Sequence, residues 1–486
     1  LVNRRKTISI VCVICVALIF ILKAYYPRLK LLINKPTEVR AADEDSDIEE
    51  PDKGYNPDDS MEDTEGDKLK PDNTEDETVD EQSGDSSGAK EENKDEHSED
   101  KGEEGTEDKT ENPTKEFRAA WISTIYNLDW PSKKGLSQAQ QKQEFIHLLD
   151  GLKKAGLNSV IVQIKPSADS FYPSEYAPWS EYLTGVQGQD PGYNPLAFMI
   201  DETHKRGMEF HAWFNPYRVS VKDNMEELAR DHPARKNPDW VVSYGNKLYY
   251  NPGVSEVRQF VIDSILEVVR NYKIDGVHLD DYFYPYPEKG VDFPDDELYK
   301  TGKRFNGETK GQWRRNNIND FIENLYKSVK REKASIKFGV SPFGIWRNRD
   351  DDPGGSDTKG GITSYDSLYA DTKYWVENGW LDYIAPQIYW YFGYDRADYG
   401  GLVDWWANVV KNHKVHLYIG HAAYKVAEGN TPWGNPMEII NQIRYNRGIP
   451  QVKGSIFFRA KSIIDNPLGL TDKLKNDIYR ERAGTP

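Results

Sequence analysis

The chain has 486 residues and a formal charge of −17, yet residues 41–110 alone hold 30 Asp/Glu against 7 Lys, a net of −23, so the remainder is +6. An acidic run of that density repels phosphates, which argues against a nucleic-acid partner. Both cysteines, Cys12 and Cys15, lie in an N-terminal apolar run, which excludes a disulfide framework or a cysteine-ligated metal anywhere else.

Residues 1–6, with Arg4-Arg5-Lys6, read as a short cytoplasmic tail. Thr7 to Leu22 is an uninterrupted apolar run edged by Tyr25 and Tyr26, and residues 7–26 have about the 20 positions that span a hydrocarbon core. This predicts a single-pass cell-membrane anchor with the bulk of the chain outside, or a secreted protein if the segment is a cleaved signal. Residues 27–115 form an acidic linker whose stretch 41–115 holds one aromatic, Tyr55. Such a segment cannot bury enough surface to offset its ordering entropy, so it is expected to be a disordered, self-repelling tether.

Residues 116–482 change character. Eight short apolar runs read as strands: 118–124, 159–165, 209–215, 276–281, 337–343, 383–390, 415–421 and 454–460. Helical patterns lie between them. In 138–155 Phe145, Leu148, Leu149 and Leu152 share a face; in 254–272 Val257, Val261, Ile265 and Val268 do. Near-continuous apolar strands alternating with helices mean a parallel sheet. Eight such units predict an α/β fold, a (β/α)8 TIM barrel with loop insertions. A doubly wound open sheet is the alternative, and the absence of a Gly-rich phosphate loop at the first strand–helix junction counts against it.

A TIM barrel gathers its chemistry at the carboxyl ends of its strands. Those ends supply Gln163; Asn215, Tyr217 and Arg218; His278 and Tyr282; Ser341 and Trp346; Gln387, Tyr389 and Trp390; and Arg459. Aromatic rings with amides, carboxylates and guanidiniums suit sugars, whose C–H faces stack and whose hydroxyls need donors and acceptors. These residues are the candidate substrate contacts. Asp280-Asp281, at the end of the fourth strand, is the candidate catalytic pair. Glycosidic cleavage needs one group to protonate the leaving oxygen and another to stabilise or attack the oxocarbenium centre. Neighbours on a strand point oppositely, so the two converge only if the strand ends there; close carboxyls would raise one pKa, as an acid requires. A loop-capping pair or a metal site are the other readings of the same two residues. Glu175, in the loop after the second strand, is the alternative acid. Asp275 and Asp382 precede strands and read as structural, Arg118 as an internal ion pair, His204 as helix surface and His211 as core. His278 reads equally as core or as substrate contact. No cofactor and no metal ligand set is predicted.

The segments FRAAWIST, HAWFNPYR, DGVHLDDYFYPYP, FGVSPFGIWRN and YIAPQIYWYFG occur in this order. Together, over residues 115–465, they resemble the glycosyl hydrolase-like family 10 of bacterial envelope proteins. The resemblance implies a TIM barrel, secretion and hydrolysis of glycan strands, with peptide-free peptidoglycan as the substrate of members with an assigned role. Segment 275–282 is distantly similar to the fourth-strand motif of family 18 chitinases but departs from it, with His278 at an acidic position and Tyr282 where the closing Glu stands. The adjacent Asp-Asp is instead similar to the pair of substrate-assisted N-acetylhexosaminidases. That similarity implies that Asp280 polarises a 2-acetamido group and Asp281 protonates, on an N-acetylated glycan. The alternatives are another extracellular polysaccharide cleaved by two-carboxylate chemistry with Asp280 and Glu175, a non-catalytic glycan-binding barrel, and a metal-dependent deacetylase.

Overall fold

A computed structural model describes residues 113–302 and 305–486. The predicted anchor at 7–26 and all but the last residues of the predicted linker lie outside the described residues. Among the described residues no helix is long and apolar enough to cross a membrane.

The chain forms β1 (Phe117–Ile122), β2 (Ser159–Lys165), β3 (Glu209–Phe214), β4 (Arg218–Ser220), β5 (Val241–Tyr244), β6 (Lys247–Tyr250), β7 (Gly276–Leu279), β8 (Lys337–Val340), β9 (Tyr383–Ile384), β10 (His416–His421) and β11 (Val452–Phe457). Eight of these close a parallel barrel in the order β1-β11-β10-β9-β8-β7-β3-β2. All eight predicted strands are present. Several stop earlier than the apolar runs suggest, because the runs at 280–281, 341–343 and 385–390 continue as irregular chain over the barrel mouth. The β4-β6-β5 sheet is antiparallel and sits in the insertion between β3 and β7; the sequence reading did not resolve it.

Helices cover the barrel: α1 (Gln138–Lys154), α2 (Pro195–Lys205), α3 (Ser255–Asn271), α4 (Lys310–Glu332), α5 (Thr372–Glu377), α6 (Tyr399–Val410), α7 (Met437–Arg447) and α8 (Ala460–Asp465). Their starts are written in the sequence. Ser137 and Thr309 form capping boxes with Gln140 and Gln312, each satisfying backbone N–H groups that a helix start leaves orphaned. The predicted faces of α1 and α3 are buried against the strands.

Alternation along the strands divides the core in two. Outward residues pack under the helices, while Phe117, Trp121, Ile161, Trp213, Tyr383, Tyr418 and Ile456 fill the barrel interior. The folded region reaches slightly past 116–482. Lys115 bridges Gly484, and Glu116 N donates to Gly484 O at 2.9 Å, which gives β1 a partner at the barrel base. Arg118 is an internal ion pair, with Nε 2.6 Å from Glu116. Asp275 and Asp382 cap the next strands along from below, accepting from Phe210 N at 2.8 Å and Phe338 N at 2.6 Å.

Candidate active site

β7 stops at Leu279, and the chain turns so that Asp280 and Asp281 both lie at the barrel mouth, each 4% exposed. Asp280 continues the inward alternation of His278. Its Oδ2 accepts from Asn215 Nδ2 and, at 3.3 Å, from Trp213 Nε1; its Oδ1 accepts from Tyr282 N at 3.3 Å. The last bond is a loop cap, so capping and clustering coexist here. Asp281 accepts from the Tyr286 hydroxyl on Oδ2 and from Gln387 Nε2 at 3.1 Å on Oδ1. Burial, then the neighbouring Asp281 carboxyl, pushes Asp280 up to about 7. Burial also raises Asp281, against the hydrogen bonds from Tyr286 and Gln387.

The surrounding residues divide sharply. Arg218 is half-buried at the start of β4, its guanidinium 4.9 Å from the Tyr282 ring centroid and donating to Pro166 O at 3.2 Å. Its charge favours the ionised form of both carboxyls. Gln387 donates its second Nε2 hydrogen to Ser341 O at 2.9 Å. Tyr389 lies beside the pair, stacked on Phe458 at 6.1 Å. The structure brings these residues together with Asn215 and Tyr282 around the pair. Arg459 is on the rim but turned to β1: it donates to Leu128 O and lies 3.4 Å from Asp129.

Other predicted contacts are corrected. Gln163 is 1% exposed: its Oε1 accepts from Thr124 N and Ile125 N, both at 3.0 Å, and its Nε2 donates to Asn215 Oδ1 at 2.6 Å. It orients Asn215 and is buried beneath it. His278 and Ser341 are sealed below the mouth, bonded to each other at 2.9 Å. Tyr217 and Trp390 point outward into the strand–helix layer, against Phe321 of α4 and Phe343 respectively. Trp346 is buried apart from the pair, donating to Asp371 at 3.1 Å and stacked on Trp405. Asp371 lines a cavity of about 440 Å³ between the excursions after β7 and β8, together with Arg315, Asn319 and Tyr365; the carboxylate pair is not part of it. Glu175 is exposed, and the loop carrying it is fastened to Glu267 of α3 through Ser174 Oγ at 2.6 Å and Glu175 N at 2.7 Å. Glu267 is on α3 in the outer helical layer, so this loop is fastened to the outer wall.

Three residues of the site were not singled out in advance. Trp213 could have been, by counting back two positions from Asn215 along an inward-facing strand edge. Tyr286 could not, because it reaches Asp281 only through the curl of the chain after β7. Asp129 is a loop carboxylate with its side chain fully buried; it accepts from Ser123 N and Lys461 N, both at 2.8 Å. Burial raises it to about 6 against the nearby Arg459 charge. Among the described residues no group of three or more His, Cys, Asp or Glu is arranged to hold a metal.

The profile of the glycosyl hydrolase-like 10 family matches residues 116–434. The glycosyl hydrolase YngK of Bacillus subtilis (strain 168) is 55% identical over 374 residues, covering 76% of this chain and 73% of its own. The glycosyl hydrolase DigH of Escherichia coli (strain K12) is 42% identical over 369 residues, covering 71% and 83%. Among solved structures, the catalytic domain of β-amylase from Paenibacillus polymyxa aligns with a TM-score of 0.46 at 12% identity, over 76% of this chain and 99% of that one. With its closed parallel barrel and the family match over most of that barrel, the chain belongs to the glycosyl hydrolase-like 10 family and is a glycoside hydrolase.

Proposed function

We propose that this hydrolase cleaves the glycan backbone of a cell-wall polysaccharide, peptide-free peptidoglycan, with assistance from the substrate's own 2-acetamido group. The observation that carries the reading is the unequal hydrogen bonding of two adjacent buried carboxyls. Asp280 is surrounded by N–H groups, from Asn215, Trp213 and Tyr282, which can only donate and so suit a carboxylate. Asp281 meets a hydroxyl, that of Tyr286, which can donate or accept and so tolerates a carboxyl that gains and loses a proton. Burial lifts Asp280 strongly while Asp281 is charged, but only the surroundings of Asp281 accept an O–H, and the proton of the pair is placed there. Asp280 then orients and polarises the acetamido group, whose carbonyl oxygen attacks the anomeric carbon while Asp281 protonates the leaving oxygen. Because each carboxyl is 4% exposed, a sugar meets them only through that remainder.

The two-carboxylate alternative with Glu175 as acid has no support from the position of that loop on the outer wall. The apolar run 7–26 and the acidic composition of 41–110 support a membrane-anchored, extracytoplasmic protein. The test is mass analysis of products from the whole protein acting on denuded and on peptide-bearing peptidoglycan. New reducing ends from denuded strands are expected. Products from neither substrate would sink the assignment of substrate.

The same reading predicts a pH effect. The Tyr286 hydroxyl lowers Asp281 by stabilising its charged form. In Tyr286→Phe that bond is gone, the ionised form is less stable and the pKa rises. A hydrogen bond to a charged group contributes about 1.5–3 kcal/mol, or about one to two pH units. The alkaline limb of the kcat/KM profile, where the acid loses its proton, is expected to move up by about one unit, read in a pH series.

A further inference from the structure

A line of polar side chains runs along the barrel axis from its base to the carboxylate pair. Glu209, at the start of β3, lies 3.2 Å from His211 Nε2. His211 Nδ1 lies 3.0 Å from the Tyr383 hydroxyl, and that hydroxyl lies 2.9 Å from His278 Nδ1. His278 Nε2 is 2.9 Å from Ser341 Oγ and receives the Trp121 indole N–H at 3.1 Å. At the base, Glu209 also takes the Thr485 hydroxyl at 2.5 Å and Lys337 Nζ at 3.2 Å.

The proton positions follow from the two ends. An indole N–H only donates, so His278 Nε2 is an acceptor and the ring proton is on Nδ1. That proton goes to the Tyr383 oxygen, the phenol hydrogen goes to His211 Nδ1, and His211 Nε2–H goes to the Glu209 carboxylate. The His278 imidazole is neutral in this arrangement, and burial holds it well below its usual range. Space for the rings is made by Gly276 and Gly339, where a Cβ would collide with the rings of His211 and Tyr383. The column ends where the site begins: Ser341 receives Gln387 Nε2 on its carbonyl, and the same Gln387 nitrogen holds Asp281.

We propose that His278 is a positioning residue for the hydrolysis: its Nε2 lone pair, shared between the Trp121 N–H and the Ser341 hydroxyl, holds Ser341, and through Ser341 and Gln387 the orientation of Asp281. The inference rests on the reading of Asp281 as the acid. His278, Trp121 and Ser341 are each at most 2% exposed, so none of them touches the glycan. Disturbing them changes the geometry of the acid without removing a sugar contact. Misplacement of a catalytic group by about 1 Å is enough to cost about 10²-fold in rate.

Two replacements separate the ring nitrogens. His278→Gln sets an amide oxygen near the place of Nε2 and keeps an acceptor for Ser341 and Trp121. His278→Asn reaches only as far as Nδ1 and loses it. Expected on denuded glycan are a fall in kcat of about 10–100-fold for His278→Asn with KM within about twofold, and recovery of most of that loss in His278→Gln. Ser341→Ala removes one oxygen, carries the test if His278→Asn does not fold, and is expected to lower kcat about tenfold at unchanged KM. Wild-type kcat in His278→Asn and Ser341→Ala, alongside an inactive Asp281→Asn, would overturn the proposal and leave the functional reading standing. So would a loss confined to KM, or a Gln variant no better than Asn. Full activity in Asp281→Asn would remove the functional reading itself, and this inference with it.

Discussion

Asp281→Asn is expected to lower kcat on denuded glycan strands by about 10³-fold or more while leaving KM within a few-fold. Proton transfer by a positioned acid contributes about 10²–10⁴-fold, and an amide at 281 keeps the shape of the carboxyl but has no transferable proton. Asp280→Asn is expected to be comparably damaging, because a neutral amide cannot stabilise the positive charge that develops on the acetamido-derived ring. The two variants differ in what restores them. A substrate with an activated leaving group needs no acid, so it should recover much of the rate in Asp281→Asn and none in Asp280→Asn. A 2-fluoro sugar that labels Asp280 covalently would point to double displacement and sink substrate assistance.

The Asp280→Asn substitution also has a pH-dependent stability signature. Burial and the neighbouring carboxyl raise Asp280 in the folded protein to about 7. A carboxyl raised above its unfolded value binds its proton more tightly when folded, so its contribution is present below about pH 4 and is lost as pH rises through the folded value. Asparagine carries no charge, but its amide nitrogen stands where only N–H groups point, a cost that does not change with pH. The melting temperature of Asp280→Asn relative to the parent should therefore rise as pH goes from 4 to 8. Loss of activity together with that rise in relative stability is the expected signature of a functional carboxyl held against its own solvation.

Periodicity and strand ends were enough to place the barrel and the pair, because eight buried runs separated by helices allow few topologies. What the sequence did not reveal was parity at the strand ends. Asn215 faces inward with His211 and Trp213, but Pro216 turns the chain and Tyr217 goes outward against Phe321. Trp390 likewise follows irregular chain after β9 and is buried beside Phe343. In β2 the register shifts between Gln163 and Lys165, and one residue of shift changes the face. His278 is on the correct face but one layer too deep, beneath Asp280. A list of residues at strand ends therefore mixes groups at the mouth with groups one step below it and one step outside it. Tyr286 and Asp129 were hidden for a different reason: each arrives from a loop whose path only tertiary packing determines.

Arg314→Met is expected to destabilise the fold by about 3–5 kcal/mol, the usual effect of leaving one member of a buried ion pair alone. Arg314 of α4 is 2% exposed, and the Asp295 side chain opposite it is fully buried. The guanidinium donates to Asp295 through Nε at 2.8 Å and Nη2 at 2.6 Å, to Asp292 and the Tyr369 hydroxyl through Nη1 at 2.8 Å, and to Phe293 O at 3.0 Å. This two-pronged grip is geometrically specific to arginine. It ties the chain between β7 and α4 to the helix, and that chain carries Tyr286 to Asp281. Lys310, 2.9 Å from Asp295, is a single charge and cannot replace the fork. Met fills the volume but leaves the Asp295 carboxylate buried with Lys310 as its remaining cation among the described residues. Urea denaturation should show the loss as a lower midpoint. Replacing both partners, Arg314→Met with Asp295→Leu, should recover a large part of it, since no charge is then stranded. The activity readout separates anchoring from stability: below the melting range the single variant should lose kcat with the alkaline limb shifted up, as in Tyr286→Phe, because the loop that presents the hydroxyl is no longer pinned. A cost under about 1 kcal/mol, the level of an exposed pair, would mean that Lys310 alone neutralises Asp295 and that the excursion after β7 is held by its aromatic packing instead.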